Sequence, residues 1–351
     1  MRIQLSEFLP PRPEAKWRLI KQAGVDNVVG VLNGAEQDQR MFASVGAAGW
    51  GSDDLGRVPW SFEQIKRNVE IYDEWGFKLV ATEDTAPMDK VRMGLDGRDQ
   101  QIAQFIEQIH ALGKLGIETL AYNWMALSSW GRTDTARVDR GGALVTAYNR
   151  ANAQAREPLL PEGQVTADQM WAAVTYFLDA VVPEAEKAGV RLALHPDDPP
   201  QQTDRGVPRI MSSVAAFRKL LALYPSDSNG ITLCQGNFAL MPEIVNGETS
   251  IPQVIREFGV AKIPFVHFRD VKGTVEDFQE TFHDAGQTDL PECVRAYHDI
   301  GFEGAMRPDH VPTLAGEPND RPGYEYLGRL FAIGYIRGLE QAAYGHPARR
   351  S

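Results

Sequence analysis

The chain has 351 residues, 43% of them hydrophobic, and a formal net charge of −11 at pH 7. That excess of acid, with no Lys/Arg-rich run, excludes nucleic acids and anionic membranes as expected partners and points to a small molecule. No window reaches the roughly 18 apolar residues of a membrane span. The opening stretch MRIQLSEFLPPRPEAKW lacks a signal-peptide pattern, and the only two cysteines, Cys234 and Cys293, suit free thiols, so a cytoplasmic protein is expected.

In chain order, short apolar β-rich runs alternate with longer segments of helical period. The predicted strands are RIQL (2–5), NVVGVL (27–32), KLVAT (78–82), TLAYN (119–123), RLAL (191–194), GITLC (230–234), PFVHF (264–268) and GAMR (304–307). Among the helices between them, one is capped by Ser61 and stopped at Gly76, and another is capped by Thr166 and stopped at Gly189. A last helix, 323–343, closes the cycle. Eight βα units in succession are the signature of a single (β/α)8 TIM barrel spanning 1–351. The doubly wound open sheet is the weaker alternative, because no Gly-rich phosphate turn follows the first strand. Residues 131–165, polar and Arg-rich, exceed an ordinary βα connection. This insertion after the fourth strand is expected to form a lid or a subunit contact at the active-site face, which favours a homo-oligomer, most simply a dimer.

Catalytic groups of such barrels project from the C-terminal ends of strands. The fifth strand ends at His195, the sixth at Cys234, the seventh carries His267, and Asp309 and His310 follow the eighth. Successive members of the set His195, Cys234, His267 and Asp309 lie about one βα unit apart, which makes them neighbours around the rim. Two imidazoles, a thiol and a carboxylate converging on one point suit a divalent transition metal; zinc, manganese, iron and cobalt all remain open. Glu83 and Asp84 follow the third strand, and Asn123 ends the fourth. Arg132 and Arg269 are placed to hold a substrate carboxylate. Asp197 and Asp198 are expected to shape their loop and orient a ligand histidine. His110, His298 and His346 read as structural.

The motifs HPDDPP, NGITLCQG, FVHFRDVKG, GFEGAMRPDH and RPGYEYLGRLFAIGYIRGL, with GRDQQIAQFIEQIHALGKLGIETLAYNWM in the first half, together resemble the mannonate dehydratases, metal-dependent lyases of hexuronate catabolism built on a xylose-isomerase-like TIM barrel. The resemblance runs nearly the whole chain. It implies metal ligation by His195, Cys234, His267 and Asp309, catalysis by His310 and Tyr324, Mn²⁺ as the ion, and D-mannonate as the sugar acid dehydrated to 2-keto-3-deoxy-D-gluconate. It also marks departures. Ser128 and Ser129 stand where the family reads Phe-Asp, Val311 and Pro312 where it reads Gly-Arg, and the cysteine motif is Cys-Gln-Gly-Asn in place of Cys-Thr-Gly-Ser. Two other readings stay open: a metal-dependent sugar isomerase or epimerase, and a barrel that binds a sugar acid without turning it over.

Overall fold

The computed structural model describes residues 3–32, 58–161 and 163–345; Arg2, Glu162 and His346, which belong to the expectations above, lie outside them. Eight parallel strands close into a barrel: β1 (Gln4–Phe8), β2 (Asn27–Gly30), β3 (Lys78–Thr82), β4 (Thr119–Asn123), β7 (Arg191–His195), β10 (Asn229–Cys234), β11 (Phe265–Phe268) and β14 (Ala305–Pro308). β14 pairs with β1 to complete the ring. The sequence places seven of these strands to within two residues at each end.

The first strand sits further along than predicted because Ser6 and Glu7 are buried polar residues that break the apolar run. Glu7 is held inside by its own neighbour and by a helix: its Oε1 accepts from the Phe8 amide and lies 3.6 Å from Arg329. Burying a carboxylate without such a partner would be costly.

Alternation along the strands separates two apolar regions. One face packs on the surrounding helices through a large cluster that includes Leu120, Leu192, Ile231, Val266 and Met306. The other fills the barrel with Phe8, Val29, Ala81, Ala121, Ala193, Phe265 and Ala305, where small residues leave room for two phenylalanines. Trp130 and Tyr324 sit on top of this inner cluster.

Helix caps follow local chemistry. Ser61 accepts from the Gln64 amide at the start of helix Phe62–Glu74. Thr166 and Gln169 form a reciprocal capping box on helix Ala167–Ala188, which ends at Gly189 in the left-handed region. The closing helix, Tyr326–Tyr344, starts three residues later than predicted, because 323–325 form the turn that presents Tyr324.

Within the inserted segment two strands form a sheet, followed by a short helix, Arg150–Gln154. β5 (Asp134–Val138) and β6 (Leu144–Asn149) pair antiparallel and join a hairpin of β12 (Val271–Thr274) and β13 (Asp277–Glu280) in the order β12-β13-β6-β5. A short ribbon of β8 (Thr203–Asp204) and β9 (Val207–Pro208) lies in the loop after β7. Leu144 and Thr313 exchange two backbone hydrogen bonds, and Asn319 Nδ2 donates to the Thr135 carbonyl, so the insertion is tied to the loop that follows β14.

His283, on the loop after β13, is buried and donates through Nε2 to the Phe268 carbonyl at 2.7 Å. Burial pushes its pKa down from 6.5 to about 4. A depressed imidazole pKa leaves stability intact above 6.5 and withdraws it as pH falls towards 4, since the unfolded chain takes up a proton that the folded one refuses; the full effect is about 3 kcal/mol. His283→Gln retains a donor for Phe268 and removes the titration. Urea denaturation at pH 7 and pH 4.5 should show a smaller stability loss for this variant than for the parent, and equal losses would contradict the assignment.

Candidate active site

Strand register brings the rim residues level with one another. Asn123 is paired with His195 across β4 and β7, Cys234 with His267 across β10 and β11, and His267 with Arg307 across β11 and β14. One nitrogen of His195, the Cys234 sulfur and one nitrogen of His267 lie within 4.8 Å of one another. Asp309 Oδ2 is 3.6 Å from His267 Nδ1.

The partner of His195 assigns its proton. His195 Nδ1 is 2.7 Å from the Pro196 carbonyl, an acceptor only, and therefore carries the hydrogen. His267 Nε2 lies 3.0 Å from the Glu83 carboxylate. Burial lowers the His195 pKa and keeps that ring neutral. His195 Nε2 and His267 Nδ1 approach to 3.2 Å at one point, beside a thiol and a carboxylate. Such a set fits a divalent cation. The sequence reading gave the orienting role to Asp197 and Asp198. The structure gives it to the Pro196 carbonyl and Glu83, while Asp197 accepts from the Met211 amide and Asp198 binds arginines.

Charge balance points the same way. Arg132, Arg269 and Arg307 meet Asp198, Glu280, Asp309 and Glu83 in one buried lattice, three cations against four anions. Coordination requires Cys234 as thiolate, which brings the excess to two negative charges, the complement of a divalent ion. Arg307 binds Glu83 through two hydrogen bonds of 2.9 and 3.0 Å. Burial favours the neutral acid at Glu83, but Arg307 and His267 prevail and lower its pKa to about 2. Asp309 likewise stays well below the ordinary carboxylate range, burial being outweighed by His310, Arg307, His267 and Arg269.

A cavity of about 200 Å³ opens above this point, lined by Glu83, Asn123, Ser129, Trp130, His195, His267, Asp309, His310 and Tyr324 among others. Asn123 presents its side chain there, with Oδ1 accepting from the Met125 amide. Cys234, Arg132 and Arg269 are not part of that lining. Both arginines are fully buried and bound to Asp198 and Glu280, so a direct clamp on a substrate carboxylate, expected from the sequence, is replaced by a role in the wall behind the site.

His310 and Tyr324 lie side by side, ring centroids 5.5 Å apart, with the Trp130 ring 4.4 Å from His310 and 5.9 Å from Tyr324. His310 adopts φ 42°, a left-handed conformation that costs a non-glycine residue roughly 1–2 kcal/mol. Such strain is concentrated at functional sites. His310 is held there by the Val311 amide, which donates to the Gly323 carbonyl, and by Nδ1, which lies 3.1 Å from Arg132 and 3.2 Å from Glu280. Burial raises the Tyr324 phenol well above its usual pKa. The Arg329 guanidinium donates to the Phe8 and Tyr324 carbonyls, fixing that turn to β1.

The family departures also have structural uses. Ser128 Oγ accepts from Arg209 at 2.6 Å, within reach of Asp204. Val311 and Pro312 pack against Gly328, where a Cβ would lie 2.1 Å from the Pro312 carbonyl oxygen. Glu280 and Trp130 were missed as site residues: Glu280 comes from a hairpin with no distinct signal, and Trp130 reads as an ordinary apolar residue of a loop.

The D-mannonate dehydratase (UxuA) family model matches residues 13–160 and 153–349. Mannonate dehydratase of Streptococcus agalactiae serotype Ia is 33% identical over 313 residues, covering 82% of this chain and 88% of the relative. That of Shouchella clausii is 34% identical over 322 residues, covering 83% and 88%. The crystal structure of mannonate dehydratase from Streptococcus suis serotype 2 superposes with a TM-score of 0.85 at 25% identity over the whole of both chains. A D-tagatose 3-epimerase-like protein, at 13% identity and a TM-score of 0.57 over 98% of each chain, shares the fold. With nearly every residue inside the matching family model and relatives one-third identical over four-fifths of its length, the chain belongs to the D-mannonate dehydratase family and is a hydro-lyase of sugar acids.

Proposed function

We propose that this hydro-lyase converts D-mannonate to 2-keto-3-deoxy-D-gluconate and water, with His195, Cys234, His267 and Asp309 holding Mn²⁺. The observation that carries the reading is the convergence of one ring nitrogen each from His195 and His267, beside a thiol and a carboxylate, next to a pocket shared with His310 and Tyr324. When bound, the ion supplies Lewis-acid stabilisation of charge developing on substrate oxygens.

The chain's own groups do the proton work. Dehydration removes the proton at C2 and delivers a proton to the hydroxyl leaving C3; the resulting enol then takes up a proton at C3 to become the 2-keto product. His310 and Tyr324 share these transfers. Burial keeps Tyr324 a neutral phenol, which favours it as donor and leaves acceptance to His310. Asn123 contacts substrate from the end of β4, while Arg132 and Arg269 shape the wall behind. The backbone pairing of Leu144 with Thr313 favours the 131–165 insertion as a fixed wall of the site over a moving lid. A cytoplasmic homodimer is the proposed form; among the described residues no helix is long and apolar enough to cross a membrane.

Protein freed of metal and then supplied with Mn²⁺ and D-mannonate should yield a 2-keto-3-deoxy acid, faster than from other aldonic acids. Tyr324→Phe and His310→Gln should each lower kcat by about 10²–10⁴-fold. Isomerised or epimerised sugar without a 2-keto-3-deoxy acid would contradict the proposal. For the ligand set, His195→Ala and Asp309→Ala should retain the parent's circular dichroism spectrum while binding little Mn²⁺ by elemental analysis. Full occupancy in either variant would refute the ligand assignment.

A further inference from the structure

The cysteine motif Cys234-Gln235-Gly236-Asn237 contains more than a ligand. Gly236 is buried, and a Cβ built there would lie 2.9 Å from Arg269 Nε and 3.1 Å from its Cγ. Glycine is thus what lets the Arg269 guanidinium lie against the turn after β10. Asn237 Oδ1 accepts from Arg269 Nη2, and its Nδ2 donates to the Asp197 carbonyl at 2.6 Å. The motif builds a seat for one buried cation.

From that seat Arg269 uses all three of its nitrogens. Nε donates to Cys234 Sγ at 3.2 Å and lies 3.2 Å from Asp309 Oδ2. Nη1 is 2.5 Å from His310 Nδ1 and also meets Glu280, while Nη2 is 2.9 Å from Asp198 Oδ2. Burial opposes the positive charge, but Cys234, Glu280, Asp198 and Asp309 outweigh it and keep Arg269 charged. A planar fork with fixed donor directions transmits position between its partners in a way that a lysine ammonium, a point charge on a flexible stem, does not.

We propose that Arg269 is a positioning residue that joins the metal ligands Cys234 and Asp309 to His310 through one rigid guanidinium, with Gly236 and Asn237 as its seat. The inference rests on the ligand assignment proposed above. Its function is to aim the sulfur and the carboxylate at the point faced by His195 and His267, and to hold His310 at a fixed distance from them. Removing an outer partner of a metal ligand ordinarily costs about 10–100-fold in metal affinity.

The test compares the parent with Arg269→Lys and Gly236→Ala, using Co²⁺ as probe and following its thiolate charge-transfer absorption, its affinity by chelator competition, and thermal melting. Gly236→Ala leaves every charge in place and adds a residue suited to the short helix Gln235–Phe238, so it decides the question if the lysine variant does not fold. Both variants should bind Co²⁺ about 10–100-fold more weakly with a shifted charge-transfer band, and with metal at saturation kcat should fall more than KM changes. Parent-like affinity and spectrum in the folded variants, with only a lowered melting temperature, would overturn the proposal. Absence of a thiolate band in the parent would overturn it together with the ligand assignment. Failure of D-mannonate as substrate would leave the Co²⁺ result intact and refute the substrate assignment alone.

Discussion

Two imidazoles that each bring a ring nitrogen to one point, beside a thiol and a carboxylate, are the constraint around which this barrel mouth is organised. The Pro196 carbonyl fixes the proton on the far side of His195 at 2.7 Å, and the Glu83 carboxylate lies 3.0 Å from the far nitrogen of His267. Glu83 in turn needs Arg307, and Arg307 binds Asp309, so the surroundings of His267 depend on an ion-pair chain that runs from the end of β3 to the end of β14. Arg307 and Asp309 are buried and Glu83 is only partly exposed, so leaving one of these charges without its partner is costly. Sequence, register and electrostatics therefore lead to one local result, a cluster with surplus negative charge beside His310 and Tyr324.

The scaffold supports this by keeping its charged lattice behind the pocket wall. Arg132 and Arg269 are held between Asp198 and Glu280 and reach His310 only through Nδ1, leaving the other edge of that ring for chemistry. The inserted sheet contributes β6, which pairs with Glu280's strand β13, and the backbone pairing to Thr313, so an element outside the (β/α)8 plan helps to set the position of a residue in a strained left-handed conformation. Proximity and orientation of reacting groups govern rate strongly, and this rigidity is what the arrangement provides.

Much of this was readable from residues alone, for a physical reason. A strand buried on both faces must be apolar, so a histidine, cysteine or acid at its end stands out, and the βα period places successive ends side by side. His195, Cys234, His267 and Asp309 are visible in that way. The partners that orient them are not. The Pro196 carbonyl has no signature in a sequence, and Glu280 lies in a hairpin whose pairing with β6 depends on contacts 128 residues apart, such as Asn149 with Asp277. Arg132 and Arg269 were correctly placed near the site but wrongly aimed, because a long side chain's direction is set by the carboxylates that fold around it. Glu7 hid the true extent of the first strand, since a buried acid with a partner looks like a loop residue until Arg329 is in place.

The most direct measurement is an anomalous difference map from crystals loaded with Mn²⁺. The account predicts a single strong peak bonded to His195 Nε2, His267 Nδ1, Cys234 Sγ and an Asp309 oxygen, with the Pro196 and Glu83 contacts to the outer ring nitrogens unchanged. A peak bonded through His267 Nε2 or His195 Nδ1, or no peak at this point, would contradict it.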